Sequence, residues 1–284
     1  MRGEGRGEGL SGGLAEIGFA RTDGKTRLAH LYQSHPLRVL FPEAEVGEPP
    51  LAVLATTSGG LVAGDRLAVR VHVAAGAAAH VTAAAAEKVY RSAGATVEVE
   101  QHFSIEAGGG LEFLPPETIL FEGARLRRRT VVELAPDAGF LGGGITVFGR
   151  RARGERFTAG LLREIVEVRR EGRLLWGDAV HLDGDVGKTV AHPAGFAGAA
   201  AFATLVLAPA RGDVRALLEG AREAQAESAG PGLSAGVTIV GGLVIARWLA
   251  HDAALLRRAY ADLACYLRAA AMGLPRRLPR LWHV

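Results

Sequence analysis

The stretch Val69-Arg70-Val71-His72-Val73-Ala74-Ala75-Gly76-Ala77-Ala78-Ala79-His80-Val81-Thr82 carries the plan of the chain. Val69, Val71 and Val73 alternate with Arg70, His72 and Ala74, the period of a strand with one buried face. Ala75-Gly76 reads as a turn and residues 79–82 as a second, more apolar strand. The turn recurs as Ala107-Gly108, 32 residues on, and as Pro136-Asp137, a further 29 residues on. Each copy precedes an apolar strand, at 79–82, 111–114 and 140–147. After the first two copies comes a short strand led by Glu87 or Glu117. A period of ~30 residues predicts stacked strand–turn–strand units sharing one core. A meander of hairpins of similar length is the alternative.

The flanking sequence fits that plan. Glycine supplies 39 of 284 residues, roughly twice its usual share of ~7%, with no Gly-X-Y period. Many glycines suit many turns and short strands. With 49% hydrophobic and 22% charged residues the chain is globular rather than disordered. Val97, Val99 and Gln101 alternate with Glu98, Glu100 and His102, and residues 165–169 alternate before a turn at Gly172. Helical spacing appears only near the C-terminus. Asp213 caps a helix over 213–228 with Val214, Leu217, Leu218 and Ala221 on one face. A second helix over 252–272 carries the stripe Leu256, Tyr260, Leu263 and Leu267, and Gly273 with Pro275 stops it. Arg257, Arg258, Asp262 and Arg268 lie off that stripe, whose apolar face needs a partner surface. The predicted fold is mainly β: an irregular helicoid of stacked strands in one domain, 17–284, with two C-terminal α-helices. Residues 1–16, polar and Gly-rich at the start, read as a flexible N-terminal segment without a secretory h-region. Residues 43–50 read as a loop within the domain. The uncharged stretches 193–210 and 230–246, rich in Ala and Gly, read as buried strands joined by turns rather than membrane spans.

Few residues of the chain carry a recognisable chemistry. The net charge of +3 is too small to argue for nucleic acid. The single Cys265 excludes a disulfide or a thiolate zinc site within one chain and fits a reducing compartment. Nine scattered histidines show no zincin spacing. Gly187-Lys188-Thr189 mimics the end of a phosphate loop, but Leu182 stands where that loop needs glycine, so residues 185–189 read as a turn. Neither Gly108-Gly109-Gly110 nor Gly142-Gly143-Gly144 opens a clear helix, as a dinucleotide fingerprint would. No Gly-X-Ser-X-Gly elbow occurs. The arginine clusters at 127–129, at 150, 151, 153 and 156, and at 276, 277 and 280 lack an aromatic platform and read as solvated strand edges or a partner surface. A hydrolase with a dispersed site and a nucleic-acid binder are the competing classes.

The most distinctive segment is Ser58-Gly59-Gly60-Leu61-Val62-Ala63-Gly64-Asp65-Arg66-Leu67. Read from its residues, it is a Gly-rich turn that Asp65 braces by accepting backbone N–H groups. It also resembles the signature of the urease accessory protein UreD family, called UreH in some systems. The resemblance continues through Glu87-Lys88-Val89-Tyr90-Arg91-Ser92, then Leu111-Glu112-Phe113-Leu114-Pro115-Pro116-Glu117-Thr118-Ile119-Leu120-Phe121-Glu122-Gly123-Ala124. Pro36-Leu37-Arg38-Val39-Leu40, Phe148-Gly149-Arg150 with Gly154-Glu155, and Pro279-Arg280-Leu281-Trp282 complete it, in family order. The chain departs from the family at Thr56-Thr57-Ser58, where His-Pro-Pro is usual, and at Gly142-Gly143-Gly144, where a Gly-Trp-Glu type is common. Residues 83–86, all alanine, replace a more polar stretch.

The resemblance implies a cytoplasmic, non-enzymatic scaffold. Its implied partners are the urease apoprotein, UreF and, through UreF, the nickel-carrying GTPase UreG. It implies no nucleic acid, no membrane span and no tightly bound cofactor, with nickel in transit through an internal water-filled passage. The signature residues, candidates for passage or interface, are Gly59, Gly60, Gly64, Asp65, Glu87, Lys88, Tyr90, Arg91, Glu117, Arg280 and Trp282. For the carboxylates two roles stay open. Glu87 and Glu117 hold matching places in successive repeats, so they could face one wet channel and pass a cation along by oxygen contacts. In dry core they, like Asp65, would be hydrogen-bonded structural groups.

Overall fold

The structure, a computed structural model, describes residues 12–228 and 230–283. The chain enters through the hairpin β1 (Gly13–Thr22) and β2 (Lys25–Gln33), then β3 (Leu37–Leu40) and β4 (Leu51–Thr56). Three coils follow. The first is β5 (Arg66–Val73), β6 (Ala78–Ala83) and β7 (Glu87–Val89). The second is β8 (Val97–Ile105), β9 (Gly110–Phe113) and β10 (Thr118–Leu120), and the third is β11 (Arg125–Leu134) and β12 (Gly139–Phe148). The rest comprises β13 (Ala159–Arg170), β14 (Arg173–Asp185), α1 (Val186–Ala191), β15 (Ala201–Ala208), α2 (Val214–Glu227), β16 (Leu233–Val240), β17 (Leu243–Ala250) and α3 (Ala253–Met272).

Each coil lays its first strand in one sheet and its later strands in another. The first sheet runs β14-β13-β11-β8-β5-β1-β2 and the second β16-β17-β15-β12-β9-β6-β4-β3, with β10 bridging β7 to β12. Val71 pairs in register with Phe103 and Phe103 with Val132, all parallel. Those steps are 32 and 29 residues, the same spacings as the turns, so the repeat is the stacking interval itself. The turns brace one another: Ala75 N–H donates to Glu106, and Gly108 N–H donates to Asp137 one coil later. The mainly-β, stacked-coil fold with C-terminal helices is the one expected.

Between the sheets lies a first core that includes Phe103, Phe113, Phe140, Phe148 and Trp176. A second core fills the space between the outer face of the second sheet and α2 and α3. The α3 stripe Leu256, Tyr260, Leu263 and Leu267 is at most 1% exposed, so the surface it needed belongs to the chain itself. Full burial of each such side chain contributes ~1.5–3 kcal/mol, an upper estimate. Asp213 and Asp252 cap α2 and α3 as expected, and Gly273 ends α3 at φ +66°.

Four expectations need correction. β1 begins at Gly13, so residues 13–16, assigned to a flexible segment, are sheet; Ala15 is fully buried beside Val69 of β5. Residues 1–11 lie outside the described residues. Residues 186–191 form a short helix, not a turn, because the Asp185 carboxylate caps it by accepting from Lys188 N–H. Arg268, placed off the apolar stripe, is 0% exposed. Its guanidinium holds Glu112 at 2.8 and 2.9 Å and Glu48 at 3.1 and 2.6 Å. It also donates to Pro275 O (2.6 Å) and Arg277 O. One cation thus ties α3, β9, the 41–50 loop and the C-terminal tail together. The stretch 193–210 contains the buried strand β15, and 230–246 contains β16 and the start of β17; β16 is an edge strand in which only Val237 is buried, so it is not the buried strand expected. Among the described residues no helix is long and apolar enough to cross a membrane.

Candidate functional site

Not all of the first core is filled. A cavity of about 280 Å³ lies between the sheets, walled by Leu54, Val69, Phe113, Leu126 and Phe202 among others. Period-2 alternation decides what else faces it. Along β11, Leu126, Arg128, Thr130 and Val132 share the inward face, so Arg128 turns in while Arg127 and Arg129 turn out to Glu98 and Glu167. The cluster at 127–129 is therefore not simply a solvated edge. Gln101 from β8 and Glu164 from β13 join the same inner wall. From the second sheet come Thr118 and Glu87, with Gly142 and Gly144 of β12 exposing bare backbone.

These polar groups are partnered. Arg128 donates from Nε to Glu164 (2.8 Å) and from Nη1 across to Thr118 Oγ1 (2.8 Å). Thr130 donates to Gln101 at 2.8 Å, and Thr56 donates to Glu87 at 2.8 Å. Burial pushes the Glu87 carboxyl above its ordinary value; the Thr56 hydrogen bond and the Arg128 charge oppose that without cancelling it. The chemistry available is oxygen contact with a cation. Among the described residues no group of three or more His, Cys, Asp and Glu could hold a metal ion.

The signature segments stack beside the cavity. Leu61 N–H donates to Lys88 O and Tyr90 N–H to Leu61 O, knitting residues 58–65 to 87–91. Tyr90 Oη donates to Gly59 O at 3.0 Å and its ring meets Phe121 edge-on. Gly60 sits at φ +148°, where a Cβ would lie 2.6 Å from the Tyr90 ring and 2.9 Å from Lys88 O. Arg91 donates to Glu122 O, and Glu122 in turn accepts from the Thr158 backbone and hydroxyl. Arg150 stacks over Phe121 and pairs with Glu155. Gly59, Gly60 and Lys88 border the cavity with Glu87. Segments far apart in sequence thus share one small region.

Asp65 braces the turn: its Oδ2 accepts Val62 N–H at 2.8 Å, beside Gly64 at φ +87°. Asp65→Ala is expected to cost ~1 kcal/mol and Asp65→Asn much less, read as urea-melt midpoints; equal midpoints for Ala and wild type would discard the brace.

Other signature residues lie elsewhere. Glu117 does not join Glu87 in the cavity. Glu87 is in register with Thr118, so Glu117 is one residue off and faces the other side of the strand. There Arg257 donates to it at 3.4 Å. Trp282 is buried, stacks on Tyr260 and donates from Nε1 to Leu114 O at 3.0 Å. Arg280 is exposed and pairs with Glu45. Arg280 and Trp282 thus belong to the fastening of the C-terminal tail. Arg128, Thr118 and Glu164 were missed as site residues, although the alternation of β11 and β13 places Arg128 and Glu164 among inward residues.

Comparison with known proteins agrees with the motifs. The family profile described as UreD urease accessory protein matches residues 11–283. A "Urease accessory protein UreD" of Magnetococcus marinus is 44% identical over 274 residues, 96% of this chain and 94% of the relative. "Urease accessory protein UreD 3" of a Bradyrhizobium species is 43% identical, covering 92% and 89%. A UreD of Rhodopseudomonas palustris is 40% identical, covering 95% and 90%. With the profile spanning nearly its whole length and relatives matched over about nine-tenths of theirs, this chain belongs to the UreD urease accessory protein family.

Proposed function

We propose that the chain is a non-enzymatic scaffold of urease maturation in the cytoplasm, one that binds the urease apoprotein and UreF, and UreG through UreF. Nickel delivered by that assembly travels through the cavity between the two sheets towards the buried urease site, held in transit rather than as a resident cofactor. The observation that carries this reading is the cavity itself, bordered by the family signature and lined by Glu87, Glu164, Thr118 and Gln101. A hydrated divalent cation needs oxygen contacts to replace the waters it sheds, and carboxylates, hydroxyls and amide oxygens supply them. Glu87 is the cavity carboxylate of the signature; Asp65 and Glu117 serve the structure around it.

Gly144 provides the test. The side chain it lacks would meet no atom within 4 Å and would project among the cavity-lining residues. Gly144→Leu should fill the passage without disturbing the backbone. The expected result is at least a tenfold loss of urease activation in a nickel-limited assay, with UreF copurification and melting unchanged. Normal activation by a folded Gly144→Leu variant would end the passage reading.

A further inference from the structure

We propose that Arg128 is the gate of this cavity: its guanidinium bars the space between the sheets at rest, and a divalent cation passes only when Arg128 releases Glu164. The inference rests on the passage reading above.

The ionisable side chains lining the cavity are Glu87, Lys88, Arg128, Glu164 and Asp178. Lys88 is exposed, and Asp178 is held by Arg247 at 2.7 Å. Arg128 and Glu164 are 13% and 15% exposed, and their closest approach is 2.6 Å. Arg128 springs from β11 in the first sheet, yet Nη1 reaches Thr118 in β10 of the second. It therefore bars the space between the sheets rather than lying along one wall. Thr118 is the register partner of Glu87, and neighbouring strands lie ~4.8 Å apart. The guanidinium is thus flanked by Glu164, which it bonds, and Glu87, which it does not.

A fixed positive charge in a narrow passage between two apolar-walled sheets repels a divalent cation more strongly than it would in open water. The same two carboxylates would attract that cation once the guanidinium moves. With Arg128 between them the trio carries one net negative charge; a divalent ion in its place would leave none. Arg128 acts through Glu164 and Thr118, as a positioning residue. The exchange also keeps nickel from lodging: the returning guanidinium displaces the ion from Glu164, so transit does not become storage.

The test uses the full chain and Ni²⁺ alone. Arg128→Gln keeps an amide donor for Glu164 and Thr118 but removes the charge. Equilibrium dialysis should show it binding Ni²⁺ at least tenfold more tightly than wild type, and Arg128→Gln/Glu164→Gln should return to the wild-type value. With UreF and urease apoprotein present, Arg128→Gln should slow activation several-fold because the ion is trapped. Arg128→Lys retains the charge and should bind nickel within about twofold of wild type. If Arg128→Gln does not fold, Arg128→Met, which also removes the charge, takes its place: nickel bound at least tenfold more tightly than by wild type would uphold the gate, and wild-type affinity would overturn it. A folded Arg128→Gln with wild-type nickel affinity would likewise overturn it. If Gly144→Leu blocks activation while Arg128→Gln changes neither binding nor rate, the gate alone falls. If Gly144→Leu activates normally, the passage reading falls first.

Discussion

Arg268→Met should lower stability by about 3–5 kcal/mol, because it leaves Glu112 buried without its cation. For a chain of this size that is a fall in Tm on the order of 10 °C. Glu112 is fully buried, and its remaining neighbour, His80 Nδ1, lies 3.2 Å away. Burial by itself would raise the Glu112 carboxyl. The Arg268 hydrogen bonds, with the His80 ring close beside the carboxylate, outweigh burial and hold it at about 2, below the usual 4.5. A carboxylate depressed on folding stabilises the native state above its unfolded value. That contribution is lost as pH falls from 4.5 towards 2. The depression corresponds to ~3 kcal/mol at neutral pH. Urea melts of wild type should therefore weaken steeply across this window, and those of Arg268→Met should weaken much less. The double variant Arg268→Met/Glu112→Leu should recover part of the loss, since a packed apolar pair replaces a broken ionic one. A single variant as stable as wild type would show that the tail and the 41–50 loop do not depend on this cation.

The network marks a limit on what sequence periodicity can reveal. The stacking interval was legible because a parallel coil repeats its turn once per layer, and the 32- and 29-residue spacings reappear as strand register. Both long helices were legible through Asp213, Asp252 and Gly273, whose capping chemistry is local. Arg268 was not, because its carboxylate partners lie 156 and 220 residues away. An arginine beside an apolar stripe looks solvated until loop and tail close over it. Which of its two open roles Glu117 takes was not legible for a related reason. Matching repeats by composition aligned it with Glu87, but strand register is exact to one residue, and one residue reverses the face. Arg128 was hidden by its neighbours, since Arg127-Arg128-Arg129 reads as a charge run until alternation separates its middle member. The six-residue α1 was too short for apolar periodicity to register.

The run Gly142-Gly143-Gly144 allows a final separation of roles, because adjacent strand residues serve opposite faces of the second sheet. Gly143→Ala should cost about 4 kcal/mol or more, the range reserved for backbone clashes and lost cores. β12 and β15 pair antiparallel, with Gly143 opposite Leu205. A Cβ on Gly143 would lie 2.0 Å from Thr204 O and 2.9 Å from both Leu205 Cα and Tyr260 Oη. Two of those atoms are backbone of a central strand, and the third belongs to a fully buried ring of α3. None can yield without parting the strands or lifting the helix, so Gly143 is the close approach on which the second core is seated. Gly144 bears no such constraint. Gly144→Ala should be neutral or stabilising by up to ~1 kcal/mol, because alanine loses less entropy than glycine in a strand. Paired urea melts decide this, with soluble yield as the readout if Gly143→Ala does not fold. Similar midpoints for the two variants would mean that β12 and β15 adjust to a side chain at 143, and the close approach would lose its explanation. A large gap would assign Gly143 to the helix-bearing core and leave Gly144 free to keep the cavity open, so that stability and passage could be altered independently in one strand.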